Sequence, residues 1–189
     1  MSGRVVVMGA SWGGLRAIGT ILAGLPADFS APVLVAQHRA PDHDSALTAA
    51  LAKSCDLPVR EATDKETALP GHVYLAPGGY HMMVERHGIV LSTDEPERFS
   101  RPSIDVLFAA AADAYGPDAV GVILTGAGDD GARGLALIRR RGGVAVVQDP
   151  ATAERPFMPE AAIARSSAHQ VLPLDEIAGF LVRLCGNGR

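Results

Sequence analysis

The sequence has few cysteines and no spacing typical of a metal site. It contains only two cysteines in 189 residues, Cys55 and Cys185. Because they lie far apart in the sequence, they suggest neither a disulfide framework nor a pair of metal ligands. His72, His81 and His87 lie in the middle of the chain but show no H-E-x-x-H spacing. We therefore expect two reduced thiols, as in a cytoplasmic protein, and no metal or other cofactor.

The sequence also lacks an excess of positive charge. The formal net charge is -4 at pH 7 and the isoelectric point is about 5.8, whereas nucleic-acid-binding domains usually present a basic face. The arginine run at 139–141 is followed by glycines, which is typical of the end of a helix. We expect no nucleic acid as a partner.

No long hydrophobic run is present. Every apolar stretch is much shorter than the roughly 20 residues that a membrane helix needs, and the segment after Arg4 lacks a signal-peptide cleavage pattern. Apolar residues make up 48% of the chain and charged residues 20%, as in globular proteins. With no repeat and no linker-like segment, the sequence predicts a single domain over 1–189, located in the cytoplasm without direct membrane insertion.

What the chain does have is an alternation of short β-branched runs with helical segments. Strands are predicted at 5–9, 31–38, 119–126 and 144–149, and helices at 13–25, 43–54, 130–143 and 174–185. Strands separated by helices indicate a parallel sheet with right-handed crossovers. Segment 72–94 alternates around glycine-rich turns and is predicted to form antiparallel hairpins. The expected fold class is a doubly wound three-layer α/β/α domain with a mostly parallel sheet and a hairpin region in the middle of the chain.

Polar residues follow three of the predicted strands. Ser11 ends the first strand, His38 ends the second, and Asp130 lies in the loop after the third. Ligands of open parallel sheets bind at the carboxyl ends of the strands, so these side chains are expected to meet at one edge. A serine hydroxyl needs a base to become a nucleophile, a histidine is a suitable base, and a carboxylate orients that histidine. The pattern therefore predicts serine hydrolase chemistry.

Other interpretations of the same residues remain open at this point. Residues 9–13 fit the G-x-S-x-G nucleophile elbow, but the order serine, histidine, acid differs from that of α/β-hydrolases. A dinucleotide loop would need glycine in place of Ser11. Taken singly, Ser11 is also a plausible cap of the helix that begins at Gly13, Asp130 a cap of the next helix, and His38 a structural histidine.

At these residues the chain resembles the catalytic domain of chemotaxis protein-glutamate methylesterases, the CheB-type family. The similarity extends from residue 5 to about residue 184. It is carried by these motifs in order: GASWGG (9–14), VAQH (35–38), YLAPGGYHM (74–82), RPSIDVLF (101–108), VILTGAGDDGARGL (122–135) and QDPATAERPFMPEAAI (148–163). The resemblance implies hydrolysis of methyl esters on receptor glutamates and deamidation of certain receptor glutamines. The resemblance also implies that the partner of this chain is a methylated chemoreceptor or another methylated protein.

Carried over by position, the resemblance makes Ser11 the nucleophile, His38 the base and Asp130 the orienting acid. Oxyanion donors are usually backbone N–H groups, so those of Trp12 and Ala127 are expected to bind the oxyanion. The family commonly has a small residue or threonine at position 12 and methionine at position 127. We expect the loss of that methionine to change the shape of the pocket more than the rate.

Further departures concern charge and packing. Asp129 replaces the asparagine of the family, and a second carboxylate beside Asp130 is expected to raise one of their pKa values unless it faces solvent. Trp12 either lines the substrate groove or packs neighbouring loops. Arg39, which replaces a common methionine, and Arg101 are expected to face an acidic helical substrate. Ser103, after a proline, is expected to cap a helix.

Two questions about function remain open in the sequence. Trp12 and Asp129 motivate an alternative function, a binding or regulatory module of the same fold with weakened catalysis. Full-length members of the family carry an N-terminal receiver domain, whereas this chain begins directly at the first catalytic strand. The chain is therefore either a stand-alone member with different regulation or part of a longer protein.

Overall fold

A computed structural model describes residues 3–40, 46–86, 88–168 and 170–186. The strands are β1 (Val5–Ala10), β2 (Val33–Gln37), β3 (Val59–Glu61), β4 (Val73–Leu75), β5 (His81–Glu85), β6 (Gly88–Ser92), β7 (Ala119–Ile123), β8 (Val144–Gln148) and β9 (Gln170–Leu172). The α-helices are α1 (Gly14–Ala23), α2 (Ala46–Ala52), α3 (Ile104–Tyr115), α4 (Ala132–Arg140), α5 (Phe157–Ser166) and α6 (Leu174–Cys185).

Seven strands form one sheet in the order β3-β4-β2-β1-β7-β8-β9, and every pair in it is parallel. From the central strand β1 the chain proceeds outward on one side through β2, and it later returns to the other side at β7. Such a change of direction opens a crevice at the carboxyl ends of the central strands. The candidate site lies at this edge.

Alternate residues of the central strands enter two hydrophobic cores, one on each face of the sheet. Val5 and Val7 contact a core that is completed by α3, α4 and α5, and Val6 and Met8 contact a core completed by α1, α2 and α6. Helices therefore cover both faces. The predicted doubly wound three-layer α/β/α fold is confirmed.

The middle of the chain differs from the prediction of hairpins throughout 72–94. Val73–Leu75 instead joins the parallel sheet beside β2, because these residues are buried on both faces of the strand as interior strands are. Among the strands named above, β5 and β6 are the pair that is antiparallel, and their inner side chains, such as Met82 and Ile89, enter the core formed with α3. His87 lies outside the described residues.

The predicted strands and helices are present, and their described ends differ from the predicted ones by at most three residues. The sequence patterns do not predict β3, α5 or β9, whereas the predicted start of α3 at Ser103 is confirmed. The expected start of α2, at 43–45, lies outside the described residues. No helix within the described ranges is both long enough and apolar enough to cross a bilayer.

Candidate active site

Backbone hydrogen bonds fix Ser11 at the centre of the sheet edge. Ala10 is paired with Gln37, and the His38 N–H donates to the Ala10 carbonyl at 3.0 Å. On the other side, the Ser11 N–H donates to the Thr125 carbonyl at 3.0 Å. The ends of β2, β1 and β7 thereby hold Ser11 between His38 and the loop that carries Asp130. The N-cap of α1 is Gly13, at φ 78°, so Ser11 does not cap this helix.

Close packing leaves room only for glycine at two positions beside Ser11. A Cβ on Gly126 would lie 2.9 Å from Ser11 Cβ and 2.0 Å from Met158 Sδ. A Cβ on Gly14 would lie 1.8 Å from Gln37 Oε1. Gln37 in turn donates from Nε2 to the carbonyls of Ser11, at 2.8 Å, and His38, at 3.0 Å. One amide therefore ties the two strand ends together.

His38 and Asp130, which are distant in sequence, meet in a direct hydrogen bond. His38 Nε2 lies 2.8 Å from Asp130 Oδ2, and the side chain of Asp130 is only 6% exposed. An ionised carboxylate only accepts hydrogen bonds, so the proton of the neutral imidazole lies on Nε2. This leaves Nδ1 as the basic nitrogen of the ring. Asp130 does not cap α4, because the N-cap there is Gly131.

The first turn of α3 supplies the remaining partners of Asp130. Oδ1 accepts from Ser103 Oγ at 3.0 Å and from the Asp105 N–H at 2.9 Å, and Oδ2 accepts from the Ile104 N–H at 2.8 Å. Burial by itself raises the pKa of Asp130, but the hydrogen bonds from His38, Ile104 and Asp105 outweigh it and hold the pKa below its ordinary value. Asp130 is therefore ionised at neutral pH.

The neighbouring Asp129 does not disturb this carboxylate. Its side chain is 56% exposed and forms an ion pair with Arg98. The hydrogen bond from Arg98 is the main cause that lowers the pKa of Asp129, and repulsion from Asp130 is a minor opposing effect. The expected rise in one of the two pKa values is therefore absent, because Asp129 faces solvent and has its own cation.

The indole of Trp12 lies away from both site cavities. Trp12 is 59% exposed, its Nε1 donates to Glu154 Oε1 at 2.9 Å, and the guanidinium of Arg155 lies 5.3 Å from the ring centroid. Thr125 Oγ1 donates to the Trp12 carbonyl at 3.0 Å. These contacts tie the turn after β1 to the loop after β8, as in the packing role considered for this residue.

Two backbone donors next to Ser11 are unused. Within the described part of the chain, the N–H groups of Trp12 and Ala127 have no acceptor from the protein. Ala127 follows Gly126, which lies against Ser11. Free N–H groups beside a nucleophile are suited to bind a developing oxyanion.

Two cavities adjoin His38. The first, of about 520 Å³, is lined by Ser11, Gln37 and His38, with Leu15 and Arg16 from α1. The second, of about 440 Å³, is lined by His38 and by a loop that includes Phe99 and Arg101. His38 and Arg39 line both cavities, so the His38 side chain borders each of them.

The arginines at the rim already have partners within the protein. Arg39 donates to Glu61 Oε1 at 2.7 Å, and Arg101 donates to the carbonyls of Thr93 and Asp94 at 2.7 and 2.9 Å. Both residues line the second cavity, and a contact with an acidic helical substrate stays a prediction. The guanidinium of Arg101 is bonded to neutral carbonyls, so it brings positive charge to that cavity.

The sequence does not predict the contribution of α3 to the binding of Asp130. It predicts Ser103 as a helix cap and part of the groove wall, and the Ser103 hydroxyl does cap α3, accepting from the Val106 N–H at 3.4 Å. A signal was available, because the free N–H groups of a helix start attract an anion. The sequence gives no comparable indication of two other contacts, the ion pair of Asp129 with Arg98 and the hydrogen bond of Trp12 with Glu154. Their partners are far apart in sequence or lie in irregular loops.

An open parallel sheet with helices on both faces and polar groups at its carboxyl edge defines an α/β protein that binds its ligand at that edge. The chain belongs to the CheB methylesterase family, whose model matches residues 6–181. It is also similar to the crystal structure of the Thermotoga maritima CheB methylesterase catalytic domain, with a TM-score of 0.93 and 34% identity. That match covers 97% of this chain and 100% of the other.

Curated relatives give the same family. A protein-glutamate methylesterase/protein-glutamine glutaminase of Nitrosospira multiformis is 46% identical over 182 residues, which are 96% of this chain and 51% of the relative. One of Bordetella parapertussis is 44% identical over 191 residues, covering 98% of this chain and 54% of the relative. The chain thus spans about half the length of these two proteins. A relative in Leptospira interrogans with the same pair of activities in its name is 44% identical and matches over 97% of its own length.

Proposed function

We propose that this chain is a serine hydrolase that removes methyl esters from glutamate side chains of a methylated protein. The observation that carries the proposal is the 2.8 Å hydrogen bond between His38 Nε2 and Asp130, in a cavity edge that His38 shares with Ser11. It gives the imidazole a fixed tautomer and leaves Nδ1 as the base.

In the proposed reaction, Ser11 Oγ attacks the ester carbonyl while His38 Nδ1 takes the hydroxyl proton. The N–H groups of Trp12 and Ala127 stabilise the oxyanion. The C–O bond to the methoxy group then breaks, and His38 returns its proton to that oxygen to give methanol. A water attacks the glutamyl ester of Ser11 with His38 again as base, which releases the glutamate side chain and restores the serine.

The substrate that we propose is a methylated chemoreceptor or another methylated protein in the cytoplasm. The curated relatives combine methylesterase and glutaminase in their names. The same steps accommodate a glutamine side chain, with ammonia in place of methanol as the leaving group. No step needs a metal or cofactor, because the nucleophile, the base and the oxyanion donors all belong to the chain. We propose no nucleic-acid partner and no direct membrane insertion.

Replacement of Ser11 by alanine tests this function. We expect Ser11→Ala to abolish methanol release from methyl-labelled receptor membranes, because alanine removes the attacking oxygen. A matched control is Ser54→Ala, since Ser54 lies on the surface shortly after α2 and its hydroxyl donates to the Leu51 carbonyl, at 2.7 Å. The control should retain wild-type turnover.

Both possible failures are informative. Methanol release by Ser11→Ala would exclude this residue as the nucleophile. If the wild type shows no turnover but still binds receptor membranes, the alternative of a binding or regulatory module is favoured. The ion pair of Asp129 with Arg98 removes one reason for that alternative, because the paired Asp129 carboxylate does not raise the pKa of Asp130.

A further inference from the structure

A second histidine, His81, lies buried behind the candidate site. It is the first residue of β5, is 3% exposed and lies apart from the residues that line the two site cavities. Its Nδ1 accepts from the Ser103 N–H at 3.2 Å, and its Nε2 lies 3.1 Å from the Glu95 carbonyl. Because Nδ1 accepts, the proton must lie on Nε2, which donates to Glu95. Both ring nitrogens are thus occupied in a single neutral tautomer.

Ser103 joins this histidine to the acid of the site. It is completely buried, its N–H is used by His81 and its hydroxyl donates to Asp130 Oδ1 at 3.0 Å. The N–H of a residue that precedes a helix has no acceptor within the helix, and a buried N–H without a partner is costly. The His81 nitrogen supplies that acceptor and thereby fixes the orientation of the Ser103 backbone.

The orientation of Ser103 controls three of the hydrogen bonds to Asp130. Its hydroxyl and the next two N–H groups, those of Ile104 and Asp105, all converge on this carboxylate. The carboxylate of Asp105 also accepts from Arg133 Nε at 2.9 Å and from the Gly134 N–H at 2.7 Å, which holds the start of α3 against α4. The start of α3 is therefore held to α4 through Asp105 and to β5 through the hydrogen bond between Ser103 and His81.

We propose that His81 and Ser103 are positioning residues for the esterase reaction, which hold Asp130 so that Oδ2 faces His38 Nε2. This inference rests on the proposed function, because it assigns the two residues to the orientation of the base. Neither residue touches the substrate. The polar chain runs from the Glu95 carbonyl through His81, Ser103 and Asp130 to His38.

Two variants of His81, to asparagine and to glutamine, test whether His81 positions Ser103 or only fills buried space. Asparagine at position 81 places its Oδ1 where Nδ1 lies and keeps the acceptor for Ser103, whereas glutamine reaches the Nε2 position and keeps only the contact with Glu95. We expect His81→Gln to lower kcat about tenfold or more with KM unchanged, since small misplacements of catalytic groups reduce the rate by such factors. His81→Asn should retain most of kcat.

Ser103 provides a second pair of variants. Ser103→Ala removes the hydroxyl and should lower kcat about tenfold, while Ser103→Thr keeps the hydroxyl and should restore kcat to near wild type. His72→Gln serves as a control, because His72 contacts the Pro70 carbonyl away from both cavities. It should leave kcat and KM unchanged.

A measurement that needs no turnover makes the test independent of the proposed function. The downfield proton NMR signal of His38 Nε2–H, recorded on the whole chain, reports the bond to Asp130. It should shift or broaden in His81→Gln and Ser103→Ala and stay near its wild-type position in His81→Asn and Ser103→Thr. Loss of activity in Ser11→Ala tests the esterase itself, so the failures of the two proposals are distinguishable.

Specific results would overturn the positioning role. Equal kcat and equal NMR signals for His81→Gln and the wild type would do so, and so would equal losses in the two amide variants. If the position 81 variants do not fold, the Ser103 pair decides, and a Ser103→Ala protein with wild-type kcat and an unshifted signal would contradict the proposal.

Discussion

At the scale of single residues, adjacent carboxylates have different surroundings. Asp130 is buried and accepts four hydrogen bonds, from Ser103, Ile104, Asp105 and His38, whereas Asp129 is exposed and pairs with Arg98. Two carboxylates that follow each other in sequence thus differ in exposure and in partners. Both residues have the same side chain, so the difference in their proposed roles comes from their surroundings.

Replacing each of the two by asparagine gives a matched comparison. We expect Asp130→Asn to lower kcat about a thousandfold or more, because the amide carries no charge and changes the tautomer of His38. Asp129→Asn should change kcat less than about threefold, since it loses only an exposed ion pair, which contributes little. Methanol release under saturating substrate measures both, and similar losses in the two variants would contradict the separation of roles.

At the scale of elements, the strand ends could be predicted better than the loops. Val5–Ala10 is apolar throughout, which identifies a buried strand, and the first polar residue after it is Ser11. The same pattern leads to Gln37 and His38 at the end of β2. By contrast, the free N–H groups at the start of α3 indicate only that an anion can bind there. The sequence does not indicate that this anion is Asp130, because the contact joins segments 25 or more residues apart. The short strands β3 and β9, with three residues each, carry too little periodicity to identify.

The turn after β7 depends on a glycine. We expect Gly126→Ala to lower the free energy of unfolding by about 1–3 kcal/mol and to reduce kcat, because its Cβ would press on Met158 and Ser11. Gly19→Ala in α1 is the control, since its Cβ would meet nothing closer than 3.5 Å and alanine favours the helix by about 1 kcal/mol. Urea unfolding checks both, and a Gly126→Ala protein as stable as the wild type would refute the packing argument.

At the scale of the whole molecule, the sheet order explains why the site forms where it does. The central position of β1, between β2 and β7, brings three loops from distant parts of the sequence to one edge. The sequence predicted the fold class from its alternating strands and helices. It did not predict Val73–Leu75 as a sheet strand, because a three-residue apolar run beside a hairpin has no distinctive period.

The central claim is that Ser11, His38 and Asp130 act together as one catalytic unit. The most direct measurement is reaction of the whole protein with a fluorophosphonate probe, followed by peptide mass spectrometry to locate the adduct. The account predicts one adduct, on Ser11, with labelling slowed strongly in His38→Gln and in Asp130→Asn. An adduct on another residue, or labelling of Ser11 at the wild-type rate in both variants, would contradict it.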